Sequence, residues 1–268
     1  MKLINSLDNK EVKYAAGLLQ KKYRDREKCF LVEGFKSIQA AGRQLIETVF
    51  IDSSRQAEYQ NLIDDPVFNC CLVDERIMRK ICATDSPQGI AAIVRKPATS
   101  LNDLLKASGL LIFLDRITDP GNMGTIIRSA WALNAGGIMI SPGSVDVFSP
   151  KVVRATMGGI FNVPLAGNIG PEQLRYCQEQ GYQLICTDIQ ATQSFYDVDY
   201  RARKILVIGN EAAGVSEGIR QMCGEFIKIP VNPTADSLNA AVACAIILQE
   251  AFRQRSNAPS CVDNTHML

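Results

Sequence analysis

The sequence predicts an α/β protein whose larger part is built around a mostly parallel sheet. From residue 110 to residue 253, short apolar runs alternate with stretches of helical periodicity, which is the pattern of a parallel sheet covered by helices on both faces. Several of these runs, such as residues 110–114, are apolar at nearly every position, as is typical of a strand buried on both faces. Residues 1–95 carry a shorter α/β pattern of their own, so we expect two units.

The composition is that of a folded protein with a substantial core. Of the 268 residues, 47% are hydrophobic and 21% are charged, which excludes a disordered or fibrous chain. The formal net charge is +1, so the overall charge gives no support for a nucleic-acid partner, and any basic surface must be local.

The cysteines and the apolar runs predict the environment of the protein. None of the nine cysteines belongs to a CxxC pair, so zinc-binding spacing is absent and we expect no metal. Their odd number and the adjacent Cys70 and Cys71 disfavour a disulfide framework. The chain opens without a secretory signal and has no apolar run of membrane-spanning length. We therefore expect a soluble, cytoplasmic protein without membrane contact.

In the first unit, strands are predicted at short apolar runs and helices where apolar residues share one helical face. The predicted strands cover residues 29–32, 46–51, 70–73 and 90–94. The predicted helices cover residues 9–22, 35–42, 55–63 and 75–81. Pro97 and Ser100 then interrupt the apolar pattern, so we predict a first domain of residues 1–97 and a second of residues 98–268.

The second unit shows the clearer alternation of strands and helices. Its predicted strands cover residues 110–114, 137–141, 162–165, 183–187, 204–208 and 226–229. Its predicted helices cover residues 122–134, 150–157, 171–180, 216–223 and 238–253. Met123 and Trp131 in the first of these helices are expected to pack in the core.

The first segment of chemical interest runs from Asp115 to Arg128, where a buried strand ends in a Pro-Gly turn and a helix begins. Ligands in open α/β sheets bind beyond the carboxyl ends of the strands. Asn122 at the helix start and Arg128, a little under two turns later, are therefore candidates for a shared rim, and Gly124 allows close approach of a backbone or ligand. The same residues also fit a capping Asn122 and a solvated Arg128.

Two later segments also place polar residues after apolar strands. Residues 205–208 run into a loop bracketed by Gly209 and Gly214, with Glu211 held close to the strand end; an ordinary turn with an exposed glutamate fits equally well. Further on, Ser237 is the predicted N-cap of the last helix. Asn239 enters this helix of mostly apolar residues and needs a partner, either structural or a ligand.

Together these segments resemble the SpoU/TrmH class of SPOUT RNA 2′-O-ribose methyltransferases over roughly residues 110–253. The matching motifs are Asn122-x-Gly124 with Arg128, Gly209-Asn210-Glu211 with Gly214, and Ile229-Pro230 followed by Ser237-Leu238-Asn239. The segment from Arg154 to Gly159 is similar to an Arg-Ala-Ser-x-Gly segment of the family, with Thr156 in place of serine. Residues 1–95 resemble the family's ribosomal-protein-like substrate-binding domain, through Phe30-Leu31-Val32-Glu33-Gly34.

This resemblance implies a fold, a cofactor and a partner. The family fold ends in a trefoil knot, and its members are dimers in which each active site is completed across the interface. The implied cofactor is S-adenosylmethionine, held largely by backbone groups. The implied cofactor contacts are Gly209, Asn210, Ile229 and Leu238.

The resemblance also implies roles for the polar residues. Arg128 would bind a phosphate or the 2′-oxygen of the target nucleotide and so activate the hydroxyl, because a guanidinium with a pKa above about 12 is a poor proton acceptor. Arg154 would bind a second phosphate. Asn122 and Asn239 would orient the ribose, while Glu211 and Ser237 would hold the loops. Val231-Asn232-Pro233 and Ala240-Ala241 depart from common family residues and leave the substrate details open.

The resemblance implies an RNA partner, and a basic stretch in the first unit is the candidate surface for it. Lys22, Arg24 and Arg26, with Tyr23 nearby, fit phosphate contact and base stacking, although Asp25 and Glu27 dilute the charge and also fit a solvated helix end. Ribosomal RNA is the first candidate and transfer RNA the second. The single histidine, His266, lies in the polar tail, so we expect no histidine catalysis.

Two other functions fit parts of the pattern. A dinucleotide-binding oxidoreductase shares the alternation of strands and helices, but no GxGxxG follows any predicted strand. A non-catalytic RNA-binding or ribosome-assembly factor on the same fold is the second alternative. Affinity for S-adenosylmethionine distinguishes this factor from an enzyme.

Overall fold

The computed structural model describes residues 1–107, 109–232, 234 and 238–256. The first unit contains the strands β1 (Lys2–Ile4), β2 (Cys29–Glu33), β3 (Ile46–Asp52), β4 (Cys70–Val73) and β5 (Ile90–Arg95). Its helices are α1 (Lys10–Gly17), α2 (Lys21–Glu27), α3 (Phe35–Ala40), α4 (Gln60–Ile63) and α5 (Glu75–Ile81). The sheet order is β1-β4-β3-β5-β2, with β5 antiparallel to both of its neighbours.

The first unit differs from its prediction in three places. Where one helix was predicted over residues 55–63, a 3₁₀ helix over Ser53–Tyr59 is followed by the short α4. The single helix predicted over residues 9–22 is two helices, because Gln20 between them adopts an extended backbone conformation. Asn9 caps the first of them by accepting the backbone N–H of Glu11 at 2.8 Å. Strand β1 was not predicted, since it has three residues of which only Ile4 is buried.

The second unit contains one sheet of seven parallel strands. The strands are β6 (Leu111–Asp115), β7 (Gly137–Ile140), β8 (Leu165–Gly167), β9 (Gln183–Thr187), β10 (Gln193–Ser194), β11 (Lys204–Gly209) and β12 (Glu225–Lys228). The helices are α6 (Leu101–Lys106), α7 (Pro120–Ala132), α8 (Pro150–Ala155), α9 (Pro171–Glu179), α10 (Glu217–Arg220) and α11 (Ala240–Ser256). The strand order is β10-β12-β9-β11-β6-β7-β8, which confirms the predicted parallel sheet. The strand predicted at 162–165 lies at 165–167, and the two-residue β10 was not predicted.

Helices cover both faces of this sheet, as the alternating pattern predicts. Ile112 and Leu114 of β6 pack in one core cluster with residues of α7 and α11. Leu111 and Phe113 point to the opposite face and pack in a second cluster with residues of α6, α9 and α10. Strand β6 is therefore buried on both sides, and its carboxyl end is held in a fixed position next to that of β11.

The two units share a packed contact. Phe30 of β2 lies with its ring centroid 4.9 Å from that of Phe148 and 5.8 Å from that of Phe161. Beside this apolar contact, the guanidinium of Arg24 donates to the carboxylate of Asp146 at 3.0 and 2.7 Å. The segment from residue 96 to residue 100 connects the units, and the domain boundary near residue 97 stays a prediction.

Three further features of the described residues concern the predicted environment. No helix among them combines the length and the apolar character needed to cross a bilayer. The eight cysteines in this part of the chain are buried and unpaired. Within the same ranges, no group of three or more potential ligand side chains is placed to hold a metal ion.

Candidate active site

The first turn of α7 places Asn122 at the carboxyl edge of the sheet. Pro120 opens the helix, and the side chain of Asp119 caps it by accepting the backbone N–H of Asn122 at 2.7 Å. Because Asp119 is the cap, the side chain of Asn122 is free for other contacts. Gly124 lies two residues further on, where an added Cβ would stand 2.3 Å from the Cβ of Ala155, so this glycine lets α7 and α8 approach closely.

The loop after β11 is folded tightly around Asn210. The backbones of Asn210 and Gly214 exchange two hydrogen bonds of 3.1 and 2.9 Å. The side chain of Asn210 accepts the N–H groups of Ala212 and Ala213, each at 3.0 Å, and donates to the carbonyl of Arg116 at 2.9 Å. This small loop therefore holds Glu211 against the turn that follows β6.

Gly209 is required by the same fold of the loop. A Cβ at this position would lie 2.3 Å from the backbone nitrogen of Val215 and 2.4 Å from the carbonyl carbon of Gly214. Gly214 itself has a φ of +67°, which is a backbone conformation that favours glycine. The two bracketing glycines thus have a structural reason independent of any ligand.

Asn239 supplies the third polar side chain of the site. Its Oδ1 accepts the backbone N–H of Ala241 at 2.9 Å and so caps α11. Ser237, the predicted cap and a predicted catalytic residue, lies outside the described residues. The side-chain amide of Asn239 donates to Oδ1 of Asn122 at 2.9 Å.

A chain of hydrogen bonds through Asn122 joins the three loops. Asn122 accepts from Asn239 and donates its own amide to Oε1 of Glu211 at 2.7 Å. Three of the predicted catalytic residues, one from each segment, are therefore in direct contact. The partner that Asn239 needs is a protein group, and the predicted convergence of the three turns is found.

A buried carboxylate at the end of β6 holds the loop after β11 in place. Asp115, the last residue of β6, is 3% exposed and accepts the backbone N–H of Ser216 at 2.6 Å. Since β6 and β11 are paired through Asp115 and Gly209, this bond fastens the far end of the loop after β11 back to the sheet. The position of Glu211 is thus fixed at both ends of its loop.

Two adjoining cavities open beside this hydrogen-bonded chain. The larger has a volume of about 500 Å³, and its walls include the predicted residues Gly209, Asn210, Glu211, Leu238 and Asn239. The smaller, of about 170 Å³, is lined by Ile229 and Leu238 among others. All four residues predicted to contact a cofactor therefore line these two cavities, which share Thr187, Leu238 and Ala243 in their walls and together form the cleft at the carboxyl edge of the sheet.

Arg128 is not brought into this cluster. It is exposed and forms no hydrogen bond or ion pair with any residue that the structure describes. Six helical residues turn the chain by about 600°, so the side chains of Asn122 and Arg128 diverge by roughly 120° around the axis of α7. Trp131, predicted to lie in the core, is 44% exposed, whereas Met123 is buried as predicted.

The predicted RNA-binding cations fall into different environments. Lys22 is exposed, and Arg26 is exposed with its guanidinium bound to Glu27. Arg154 is partly exposed, 3.5 Å from the carboxylate of Glu33. The prediction that Arg24 contacts RNA is wrong. Arg24 is 3% exposed, and its guanidinium donates to the carboxylate of Asp146 and to the carbonyl of Leu18. An arginine so enclosed joins the two units and does not face RNA, so we leave it out of the proposed RNA surface.

Family models match both parts of the chain. The model of the SpoU rRNA Methylase family matches residues 109–249, the part that forms the seven-stranded sheet and the cleft. The chain belongs to the SpoU rRNA Methylase family. A second model, for an MRM3-like substrate binding domain, matches residues 9–92.

Named relatives of this chain agree with the family. It is 36% identical to the 23S rRNA (uridine(2479)-2′-O)-methyltransferase of Streptomyces viridochromogenes, over 64% of this chain and 62% of that protein. It is 27% identical to the 23S rRNA (guanosine(2553)-2′-O)-methyltransferase RlmP of Bacillus subtilis, over 92% of this chain and 98% of that one. Its structure is similar to that of the SpoU methyltransferase AviRb of S. viridochromogenes in complex with AdoMet, with a TM-score of 0.85 and 30% identity over 93% of this chain and 99% of that one.

The cleft also has a wall that was not predicted from the sequence. Thr187, Asp188 and Ile189, at and just after the end of β9, line the smaller cavity. Strand β9 lies between β11 and β12, so the turn after it must reach the same edge as the motifs that follow those two strands. The strand order was the missing information, since it cannot be read from spacing alone.

Asp188 carries the clearest electrostatic perturbation in the cleft. Its pKa is lowered first by the backbone N–H of Gln190, which it accepts at 2.8 Å. Burial acts in the opposite direction, and the guanidinium of Arg220, which donates to the other carboxylate oxygen, lowers the pKa further. Asp188 is therefore held as a carboxylate, which orders the turn after β9.

Proposed function

We propose that this protein transfers a methyl group from S-adenosylmethionine to the 2′-hydroxyl of a ribose in ribosomal RNA. The observation that carries the proposal is the contact of Asn122 with both Glu211 and Asn239 beside the cleft, in a chain of the SpoU family. Ribosomal RNA is favoured over transfer RNA because two aligned relatives are named 23S rRNA 2′-O-methyltransferases. These two relatives act on uridine and guanosine, so the target base stays open.

The cleft suits an adenosine-containing cofactor. Its larger cavity, of about 500 Å³, lies in the volume range of small-molecule sites, and its walls combine apolar side chains such as Val215 and Leu238 with several polar groups. Ile229 and Leu238 would pack against the adenine, and backbone groups at Gly209 and Asn210 would hold the rest of the cofactor. When bound, S-adenosylmethionine supplies an electrophilic methyl group on a sulfonium centre.

The polar residues act on the RNA in this proposal. Asn122 and Asn239 orient the ribose, and Glu211 keeps the amide of Asn122 in position. Arg128 and Arg154 bind phosphate oxygens or the 2′-oxygen. A guanidinium there stabilises the negative charge that develops on the 2′-oxygen as its proton passes to solvent water, without itself serving as the base.

We also propose that two copies of the chain form the active enzyme. Helices α7 and α11 pack together and expose large apolar side chains, namely Trp131 at 44%, Val242 at 47% and Phe252 at 38%. Exposed apolar surface of this kind marks protein interfaces. Arg128 lies on α7 and points away from the cleft of its own chain. In a dimer, it would instead reach the cleft of the second copy.

The remaining family features are proposals of the same kind. The trefoil knot is supported by the path of the last segment, since β12 lies beyond β9 while α11 returns to pack on α7 and β11. The domains are proposed to span residues 1–97 and 98–268, and the enzyme is proposed to work in the cytoplasm, where ribosomal RNA is available.

The experiment is a transfer assay with labelled S-adenosylmethionine and ribosomal or transfer RNA from cells that lack the gene. We expect label in ribosomal RNA, at a ribose that alkali-resistant cleavage mapping identifies as 2′-O-methylated. Label only in transfer RNA would move the substrate assignment to the second candidate. Absence of calorimetric binding of S-adenosylmethionine or its demethylated product would instead favour a non-catalytic RNA-binding factor.

A further inference from the structure

A third large cavity lies where the two units meet, away from the cofactor cleft. Its volume is about 690 Å³, and most of its walls are apolar. The connecting segment from Lys96 to Ser100 forms one wall, the loop carrying Val147 and Phe148 forms another, and the edge strand β8 closes the side. A cavity of this size is within the range that holds a small ligand or one nucleotide, and it is too small for a duplex.

The walls of this junction cavity are rigidly supported. Asp146 is held by the buried guanidinium of Arg24 and accepts the backbone N–H of Phe148 at 3.0 Å. The ring of Phe148 then packs on Phe30, with 4.9 Å between the ring centroids, and the ammonium of Lys96 lies 5.0 Å from the centroid of the Phe148 ring. The aromatic wall is therefore fixed before any ligand arrives.

Positive charge borders the junction cavity on one side. Lys28 ends α2 in a left-handed backbone conformation and lines the cavity, while its carbonyl accepts the backbone N–H of Lys96 at 2.8 Å. Lys21, Lys22 and Lys28 have no carboxylate within 4.0 Å among the described residues. The ammonium of Lys96 donates to Asp25 at 2.9 Å and is the main cause that lowers the pKa of this carboxyl group, and the nearby charges of Lys21 and Lys28 lower it further.

One acidic group also lines the junction cavity. Asp103 is engaged by its own helix, accepting from the hydroxyl of Ser100 at 2.5 Å and from Lys106 at 3.4 Å. Its charge is thus partly offset locally. Lys28 remains the cation at the rim without an ion pair among the described residues, and it suits an anionic ligand.

The junction cavity lies on the same sheet as the catalytic cleft. Ile140, at the end of β7, lines it and is paired with Leu114 of β6 on one side and Gly167 of β8 on the other. Strands β11, β6, β7 and β8 are consecutive neighbours, so three strand spacings, roughly 14 Å, separate the two sites across the sheet. An RNA strand held in the cleft can span this distance with a few nucleotides.

We propose that the junction cavity binds one unpaired nucleotide of the RNA substrate, a few positions from the methylated ribose. Its base lies against Phe148 and the apolar walls, and its phosphate contacts Lys28. Apolar and aromatic surfaces bordered by cations are how proteins bind unpaired bases. This inference rests on the proposed function, because it takes RNA as the substrate, and it adds a site that selects RNA sequence or shape.

Gly167 provides a way to block the cavity without disturbing the fold. A Cβ added there meets no atom within 4 Å, and its φ is outside the left-handed region, so Gly167→Phe places a ring in the open cavity. Gly224→Phe is the matched control: its Cβ position is equally open, but it precedes β12, which lies five strands away from β8 in the sheet. Lys28→Gln tests the phosphate contact, with the exposed Lys80→Gln on α5 as its control.

The readouts are the KM for ribosomal RNA, its dependence on salt, and the affinity for S-adenosylmethionine. We expect Gly167→Phe to raise the KM about tenfold, as the loss of one stacked base does, with kcat and cofactor affinity unchanged. Lys28→Gln should raise the KM and lower the slope of log affinity against log salt by about 0.7. If Gly167→Phe and Gly224→Phe both behave like the wild type, the cavity does not bind the substrate.

Crosslinking of the wild-type protein gives an independent test. Ribosomal RNA transcribed with 4-thiouridine is irradiated with the protein, and the crosslinked peptides are identified by mass spectrometry. Crosslinks to residues 96–100 or 145–148 are expected, and their absence while the enzyme still methylates the RNA overturns the inference alone. A wild-type protein that neither binds S-adenosylmethionine nor methylates any RNA overturns the proposed function, and crosslinks in that protein would still assign the cavity to RNA.

Discussion

Asn122 and Glu211 are 89 residues apart in the chain, and the side-chain amide of Asn122 donates to the carboxylate of Glu211 at 2.7 Å. The other atom of the same amide accepts from Asn239, so one side chain ties the turn after β6 to the loop after β11 and the start of α11. Each side chain in this series of hydrogen bonds has a defined role as donor or acceptor, so a pair of mutations can exchange the donor and the acceptor of one bond.

Asn122→Asp should weaken binding of S-adenosylmethionine by about tenfold or more, because it sets two carboxylates against each other and removes a hydrogen bond to a charged group. The double variant Asn122→Asp with Glu211→Gln restores a donor facing an acceptor and should recover most of the affinity. Calorimetry with the cofactor measures both. A double variant no better than the single one would show that the contact does not organise the cleft; Asn102→Ala, at an exposed asparagine of α6, is the control.

Gly209→Ala should abolish cofactor binding and lower the melting temperature. The new Cβ would lie 2.3 Å from the backbone nitrogen of Val215, and backbone atoms cannot move aside as a flexible side chain can. Gly218→Ala is the control, since nothing lies within 4 Å of its added Cβ in α10, and it should stabilise the protein by about 0.5 kcal/mol. Equal melting temperatures for the two variants would contradict the close approach of the backbones.

The convergence of Asn122, Glu211 and Asn239 was predictable because the turns after parallel strands meet at one edge of the sheet. Their spacing and order were sufficient to place them together, although their roles in a reaction stay predictions. The turn from Thr187 to Ile189 was missed since its place depends on β9 lying between β11 and β12. Strand order of this kind is a property of the folded chain.

Two side chains were misplaced for a simpler reason. Arg24 stands in a run of charged residues, so its surroundings in sequence indicate solvent, yet its partner Asp146 is 122 residues away. Trp131 stands in an amphipathic helix, and its size favours the core, yet it is exposed on the face of α7 that also carries Arg128. In both cases the deciding contact lies outside the local sequence, with the other unit for Arg24 and, as we propose, with a second copy for Trp131.

Arg24→Ala should destabilise the protein by about 3 kcal/mol, because it leaves the carboxylate of Asp146 buried without its partner. The two side chains are 4% and 13% exposed, so solvent cannot replace the lost bonds. Arg26→Ala removes an exposed pair from the same helix and should cost less than about 1 kcal/mol. Urea unfolding followed by fluorescence measures both, and similar losses for the two variants would contradict a structural role for Arg24.

Asp188→Asn should make the protein less stable at neutral pH. The variant should also lose less stability than the wild type between neutral and acidic pH. The pKa of Asp188 is lowered in the folded state, so the carboxylate stabilises the fold above its unfolded pKa, about 4, and this contribution is lost as the pH falls through the lower folded value. The difference between wild type and variant should be on the order of 1 kcal/mol at pH 7 and shrink below pH about 4. Unfolding curves across pH test this, with Asp85→Asn, at an exposed carboxylate, as the control.

Arg128→Ala should lose methyl transfer while keeping its affinity for S-adenosylmethionine, because Arg128 does not touch the residues that line the cleft of its own chain. If Arg128 acts on the cleft of a second copy, mixing the Arg128→Ala variant with the Asn239→Ala variant should restore activity. A mixed dimer then has one site that contains both an intact Arg128 and an intact Asn239. Equal amounts of the two inactive variants, dissociated and reassociated at random, should recover about a quarter of the wild-type rate. No recovery from mixtures that are shown to contain mixed dimers would place Arg128 at the cleft of its own chain. Trp131→Glu, which puts a charge on the exposed apolar face, should give monomers by sedimentation and prevent the recovery.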